Sequence, residues 1–202
     1  ATGADLVGYS GFTNSNYLEQ PYNADLDVGT GDFSVMGWVK ASAMPTTEFL
    51  IERGRDSGFN IYCSSTNIVF RIINAVIHTE AFPLSIWKHV VLKRESGVAS
   101  VYVNGVLGSS VVNTANTSVA SNTTIGVHTG IGNPAANKSL ALWRISNTAP
   151  SATQIAKIYN DEKHLFQTNA KATLYGTSDA VTALAYDDDT ELLHAGTSAG
   201  RS

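Results

Sequence analysis

The chain has 202 residues and a mass of 21.4 kDa, enough for one large domain, or a domain with an appendage, whose core needs neither disulfides nor metals. A formal net charge of −4 and a pI near 5.7 exclude a phosphate-neutralising nucleic-acid binder, and the single cysteine excludes a disulfide framework and a CxxC zinc site. Charged residues make up 15%, whereas Ser, Thr and Asn number 55 beside 17 Gly, a composition suited to strands and turns rather than to helix surfaces. No apolar run approaches the roughly 18 residues of a membrane span, and no basic or apolar leader opens the chain at Ala1–Ala4, so neither membrane insertion nor a signal peptide is expected.

In chain order, the dominant period is two. Phe33, Val35, Gly37 and Val39 share one strand face, with Ser34, Met36, Trp38 and Lys40 on the other. Strands are expected over 50–53, 59–63 and 68–73, the last apolar on both faces like a strand between two layers. Others are expected over 87–94, 99–103 and 106–112, then 123–127 and 140–145. Asn104-Gly105 lies between two apolar runs and predicts a type I′ hairpin, whose two central residues need φ > 0. Short strands at this spacing, with no helices between them, predict an all-β, antiparallel two-sheet sandwich or jelly roll.

One short helix follows. Ser151 and Gln154 form a capping box, and Ile155, Ile158 and Tyr159 fall on one face, with Leu165 and Phe166 near the end. Its expected job is to cover a sheet edge or one end of the sandwich. Beyond Phe166 the character changes. Residues 167–202 hold one hairpin, 181–186 with 192–195, around Asp187-Asp188-Asp189-Thr190-Glu191. This divides the chain into a 1–166 domain and a 167–202 segment expected to serve packing, oligomerisation or connection to a further domain.

Several short stretches carry a likeness. They are Tyr17-Leu18-Glu19, Asp32 to Lys40, Ile86 to Arg94, Val101-Tyr102-Val103-Asn104-Gly105, Thr124-Ile125-Gly126, Leu142 to Ile145, and Gln154 to Tyr159. In this order they resemble the laminin-G-like family of concanavalin A-like lectin domains, over residues 15–166. The resemblance implies a jelly roll whose rim loops bind glycans or proteins, with calcium in some members and glucanases among related folds. Leu174 to Ser202 resembles repeats that follow such domains in bacteriophage tail and appendage proteins, and also one blade edge of a propeller.

The candidate chemistry is then read residue by residue. Glycoside hydrolysis needs two facing carboxylates. The nearest run, Asp187, Asp189 and Glu191, lies outside the sandwich and reads as a solvated turn, while Glu48 and Glu52 flank an apolar strand with no partner identifiable from sequence. Gly196-Thr197-Ser198-Ala199-Gly200 matches G-x-S-x-G, but a nucleophile elbow needs a following helix, so a flexible tail is expected. The histidines are dispersed: His89 reads as structural, and His78 and His128 sit near strand ends. Cys63 reads as a buried free thiol. Asp25 and Asp27, beside Gly29 to Asp32, are the candidate ligands for a structural calcium, against a solvated turn. Asn116, Asn122 and Asn137 open glycosylation sequons, which a chain this rich in Ser, Thr and Asn produces by accident.

Glycan recognition calls for exposed aromatic faces beside fixed amides and carboxylates. Tyr22, Asn23, Arg55, Asp56, His128, Asn133 and Asn137 are the candidate ligand-binding residues, with 128–137 the first choice of recognition loop. The expected function is a non-enzymatic carbohydrate-binding or adhesion module of a phage tail fibre or virion surface, with no catalytic residues. Its expected partner is a cell-surface glycan or protein receptor, and it is expected to lie on the virion or outside the cell. Homo-oligomerisation is expected, as a trimer in a phage fibre. The alternatives are a structural or oligomerisation domain of a fibre and a glycan-cleaving hydrolase.

Overall fold

The computed structural model describes residues 8–54, 56–128, 130–166, 181–189, 192–197 and 200–201. Backbone packing separates two compact units, Ala1–Phe166 and Gln167–Ser202. In the first, eleven strands form two antiparallel sheets. They are β1 (Leu18–Gln20), β2 (Phe33–Ala41), β3 (Glu48–Arg53), β4 (Phe59–Ser64), β5 (Asn67–Ile72), β6 (Ala75–Ala81), β7 (Lys88–Glu95), β8 (Val98–Val103), β9 (Val106–Val112), β10 (Thr123–Ile125) and β11 (Lys138–Ser146). The six-stranded sheet runs β1-β10-β3-β4-β5-β6 and the five-stranded sheet β11-β2-β7-β8-β9. This is the two-layer antiparallel jelly roll expected from the alternation.

The core lies between the layers. Phe33, Val35 and Val39 of β2 and Val90 and Leu92 of β7 meet Ile51, Ile61, Ile68 and Phe70 of the facing sheet, all at most 1% exposed. Phe33 stacks on Phe59 across the gap at 5.6 Å. Asn104 (φ 51°) and Gly105 (φ 79°) make the two-residue turn between β8 and β9.

Two strands of the first unit were not legible: β6, whose Ala75–Ala81 run is half exposed, and three-residue β1, exposed throughout. The helix α1 (Ala152–Glu162) carries both bonds of its capping box, Gln154 N to Ser151 Oγ at 3.2 Å and Ser151 N to Gln154 Oε1 at 2.7 Å. It differs from expectation in place. It covers neither an edge nor an end but the outer face of the five-stranded sheet, where Ile155 and Ile158 pack on Met36, Val91 and Tyr102. Trp38 therefore lies under the helix rather than between the sheets. Its ring stacks on Phe166 at 4.1 Å and Tyr159 at 5.8 Å, and its Nε1 donates to Glu162 at 2.7 Å.

In the second unit β12 (Val181–Asp187) pairs with β13 (Leu192–Thr197), and β13 with β14 (Gly200–Arg201). Asp189 N donates to Asp187 Oδ1 at 3.0 Å, a side-chain-closed turn. Glu191 lies outside the described residues. Of the run that matches G-x-S-x-G, Gly196, Thr197 and Gly200 are strand residues, with Thr197 opposite Gly200 and Gly196 opposite Arg201, where a flexible tail was expected; Ala199 lies outside the described residues. Ser198 lies outside the described residues. No helix among the described residues is long and apolar enough to cross a membrane.

Candidate functional site

A sandwich has two outer faces, and α1 occupies one. On the other, the pairing registers align Glu19, Thr124, Glu52, Asn60 and Arg71 in one row across five strands. Phe49, Tyr62, Val69 and Thr79 form the next row. Alternation sends Ile51, Ile61 and Phe70 inward, so these residues must face out. Several are nonetheless buried: Glu52 is 3% exposed, Asn60 1% and Thr124 1%.

Residues 126–137 fold against this face at one rim. Gly126 (φ 91°) starts the turn, and a Cβ there would lie 2.1 Å from the Phe12 ring, so both backbone and space require glycine. His128 and Gly132 exchange two backbone bonds, at 3.2 and 2.8 Å, and Phe49 N donates to Asn133 O at 3.0 Å. The base of the loop is tied by Glu48. Its Oε1 accepts from Asn137 N at 3.0 Å and Nδ2 at 2.9 Å, and its Oε2 pairs with the buried Lys138 ammonium, which also donates to Ala43 O. His128 is 3% exposed, with its ring edge-on to Phe49 at 4.5 Å. His128 Nδ1 accepts from Gly130 N at 3.1 Å, so the neutral ring carries its proton on Nε2, 3.3 Å from Glu52 Oε2.

The carboxylates without a readable partner thus have partners: Glu48 holds Asn137 and Lys138, and Glu52 faces His128. Between this loop and the turn at 13–17 lies a hollow of about 360 Å³, lined by Asn14, Tyr17, Val127, His128, Ile131 and Gly132. Of the expected residues at this rim, His128 forms a wall and Asn133 sits half-buried at φ 62°. Asn137 is spent on Glu48. Asn14 and Tyr17 were missed, because nothing in the sequence links positions 14–17 to 127–132.

Tyr22, Asn23 and Asp56 lie at the opposite rim. Six-residue β3 separates them, with Glu48 at one end and Arg53 at the other, roughly 17 Å along an extended strand. Tyr22 N donates to Asn122 Oδ1 at 3.0 Å, and Asn23 Oδ1 accepts from Asp25 N at 2.9 Å, capping a single 3₁₀ turn. Asp56 is exposed there, and Arg55 lies outside the described residues.

The two sets therefore do not form one site. Nor does Asp27 fit calcium. Its Oδ1 accepts from Arg53 at 2.5 Å and Val119 N at 3.3 Å, and its Oδ2 from the Tyr22 hydroxyl at 2.8 Å. The Tyr22 hydroxyl, with Arg53 and Val119, holds the Asp27 carboxyl below the ordinary range, and that same hydrogen bond raises the Tyr22 phenol. This donor set is built for a guanidinium. Among the described residues no three His, Cys, Asp or Glu side chains gather closely enough to hold a metal ion.

Two further groups are structural. Cys63 is fully buried, and burial pushes its thiol up to about 12, far from a nucleophilic thiolate at neutral pH. His89 is also fully buried, 5.3 Å from Trp38. His78 lies 3.5 Å from Glu80 and close beside Gly108, where β6 meets β9.

Comparisons with known proteins agree with this geometry. A family model described as the concanavalin A-like lectin/glucanases superfamily, of the laminin-G type, matches residues 12–156. Comparison with curated proteins returns no match. Among solved structures, the chain is similar to the binding domain of botulinum neurotoxin DC in complex with SialylT. There the TM-score is 0.56 at 18% identity, over 84% of this chain and 44% of that one. It is similar to the Trypanosoma rangeli sialidase, TM-score 0.59 at 16% identity, over 80% of this chain and 28% of that one. It is also similar to a heptameric SAP-like pentraxin from Limulus polyphemus, TM-score 0.56 at 15% identity, over 75% and 80%. The chain spans less than half the length of the neurotoxin domains it matches. At these identities the likeness is one of fold, but the family match covers well over half of the sequence. The chain belongs to the concanavalin A-like lectin/glucanases superfamily, through a laminin-G-type domain at residues 12–156.

Proposed function

We propose that the protein is a non-enzymatic carbohydrate-binding module that offers the 126–137 rim and the adjoining outer face of the six-stranded sheet to a cell-surface saccharide. One observation carries the reading. The helix occupies one outer face, while the other ends in a hollow whose walls are fixed by Glu48, His128 and Gly132 and whose lining offers an amide and a phenol. A pyranose presents C–H faces to an aromatic ring such as Tyr17 and hydroxyls to an amide such as Asn14. Solved neighbours of this fold include a neurotoxin binding domain in complex with SialylT.

The setting we propose is extracellular, on a phage tail fibre or virion surface. It rests on the likeness of Leu174 to Ser202 to phage appendage repeats, with the 167–202 segment joining copies, as a trimer in a fibre. The chain's carboxylates favour binding over hydrolysis. Glu48 is spent on Lys138, Glu52 faces His128, and Asp187 closes a turn in the second unit.

A glycan array with the wild-type protein and an Asn14→Ala/Tyr17→Ala variant tests this. The expected result is a saccharide bound by the wild type and at least tenfold more weakly by the variant. No saccharide bound at millimolar concentration, or turnover of a polysaccharide, refutes it. Deleting 167–202 separates the roles: glycan binding persists and the oligomeric state changes.

A further inference from the structure

The sandwich has two long margins, and they are closed differently. At one, β6 meets β9: Ser109 Oγ donates to Ile77 O at 2.9 Å, and a Cβ at Gly108 would stand only 2.7 Å from His78 Nε2. At the other, between β1 with β10 and β11, the layers stand apart. A cleft of about 260 Å³ opens between them, walled mainly by Leu18, Leu26, Ile51, Ile125, Trp143 and Ile145, with Glu19 and Arg144 also in its lining. A cavity of about 150 Å³ with aliphatic and aromatic walls already admits benzene.

The chain has spent conformational energy to make this opening. Between Ala141 and Arg144 the register slips, so Leu142 and Trp143 together stand opposite Gly37. Leu142 takes φ 52°, a left-handed conformation unfavourable for a residue with a side chain. The slip lays the Trp143 indole over Gly37, where a Cβ would come within 2.4 Å of the ring. A regular β11 with a side chain at 37 would close this margin as the other is closed. The bulge, the strained leucine and the glycine instead furnish an aromatic wall.

We propose that this cleft is a binding site for a small uncharged apolar molecule, of about the bulk of two fused rings, held between the sheets against Trp143. It is separate from the saccharide rim. Leu18 and Ile125 line the cleft and pair with each other, while Ile131 belongs to the hollow on the other side of β10.

The test is a titration of the full chain with indole, read by methyl NMR. The resonances of Ile51, Ile125 and Ile145 are expected to shift saturably below millimolar indole, with Ile131 unmoved, and glucose is expected to leave those three cleft methyls in place. Ile125→Phe fills the cleft and should weaken indole at least tenfold. Leu18→Lys, at a position 38% exposed and so safe for folding, should weaken it several-fold. The proposal is overturned if these methyls do not saturate, if Ile131 moves with them, or if both variants bind indole as tightly as the wild type.

Discussion

His89 should set the acid limit of stability. It sits on β7 with no exposed surface, near Trp38 and Tyr159 under α1, and neither ring nitrogen finds a hydrogen-bond partner among the described residues. Burial, outweighing the attraction of Glu162, pushes its pKa from the ordinary 6.5 down to about 4, with Arg144 adding to the depression. The unfolded imidazole takes a proton near pH 6.5 and the folded one only near pH 4. Stability is therefore full above the first value and falls as the pH drops towards the second. Each unit of separation is worth about 1.4 kcal/mol, so the loss is about 2 kcal/mol by pH 5 and about 3 kcal/mol by pH 4. Urea unfolding of the wild type and of His89→Leu, at pH 7.5 and at pH 5, isolates this contribution from that of the carboxylates. The wild type should lose about 2 kcal/mol more than the variant between the two conditions. At neutral pH the variant should be no less stable, because leucine removes two unpaired nitrogens. If both proteins lose the same stability on acidification, His89 is not held neutral by burial and the reasoning fails.

The buried Glu48–Lys138 pair should behave as a unit. Glu48→Gln or Lys138→Met alone should cost about 3–5 kcal/mol, because each strands a charge, whereas the double substitution should recover much of the loss in chemical denaturation. Single and double variants of equal stability would contradict the pairing. Gly126→Ala places a methyl in the Phe12 ring at a left-handed φ. It should lower the melting temperature and weaken saccharide binding together, and unchanged values for both would show that the rim does not depend on that turn.

The alternation that made the layers readable is strongest where one side chain in two meets the core. Phe59, Ile61 and Cys63 of β4 and Ala99, Val101 and Val103 of β8 are such positions. It fails at β1 and β6, which are margin strands with little to bury; β11 was readable as a strand over 140–145, but its bulge between Ala141 and Arg144 was not. Trp38 alternates out of phase with the core residues Val35 and Val39, and no local pattern shows that α1 and Phe166 cover it. The candidate site was half legible. The 128–137 loop stands out by its irregular composition, but its other wall comes from Asn14 and Tyr17, more than a hundred residues earlier. Tyr22 and Asn23 share their chemistry and were chosen on it alone. The pairing of β10 with β3, which no local pattern encodes, puts them at the far rim.

The low charge content acquires a use in this light. Glu48, Glu52, Arg53, Lys93, Arg94 and Lys138 are all under 5% exposed, and most of them fasten loops. Arg94 alone binds the carbonyls of Gly29, Gly31 and Ala115, at 2.6, 2.9 and 2.6 Å, joining two loops that are far apart in sequence. Arg53 does the same for Val119 and Ser121 while pairing with Asp27. A buried guanidinium held by carbonyls is a costly fastener, since its desolvation is repaid only as far as its N–H groups find partners in fixed geometry: all three Arg94 nitrogens do, whereas Arg53 Nε has none among the described residues. That requirement is what makes it rigid. Loops held in this way need little ordering when a ligand arrives, so a small contact area retains more of its binding energy. Arg53 acts at the rim opposite the 126–137 loop, and that loop has its own fastener of the same kind, the buried Glu48–Lys138 pair, with Glu48 also holding Asn137.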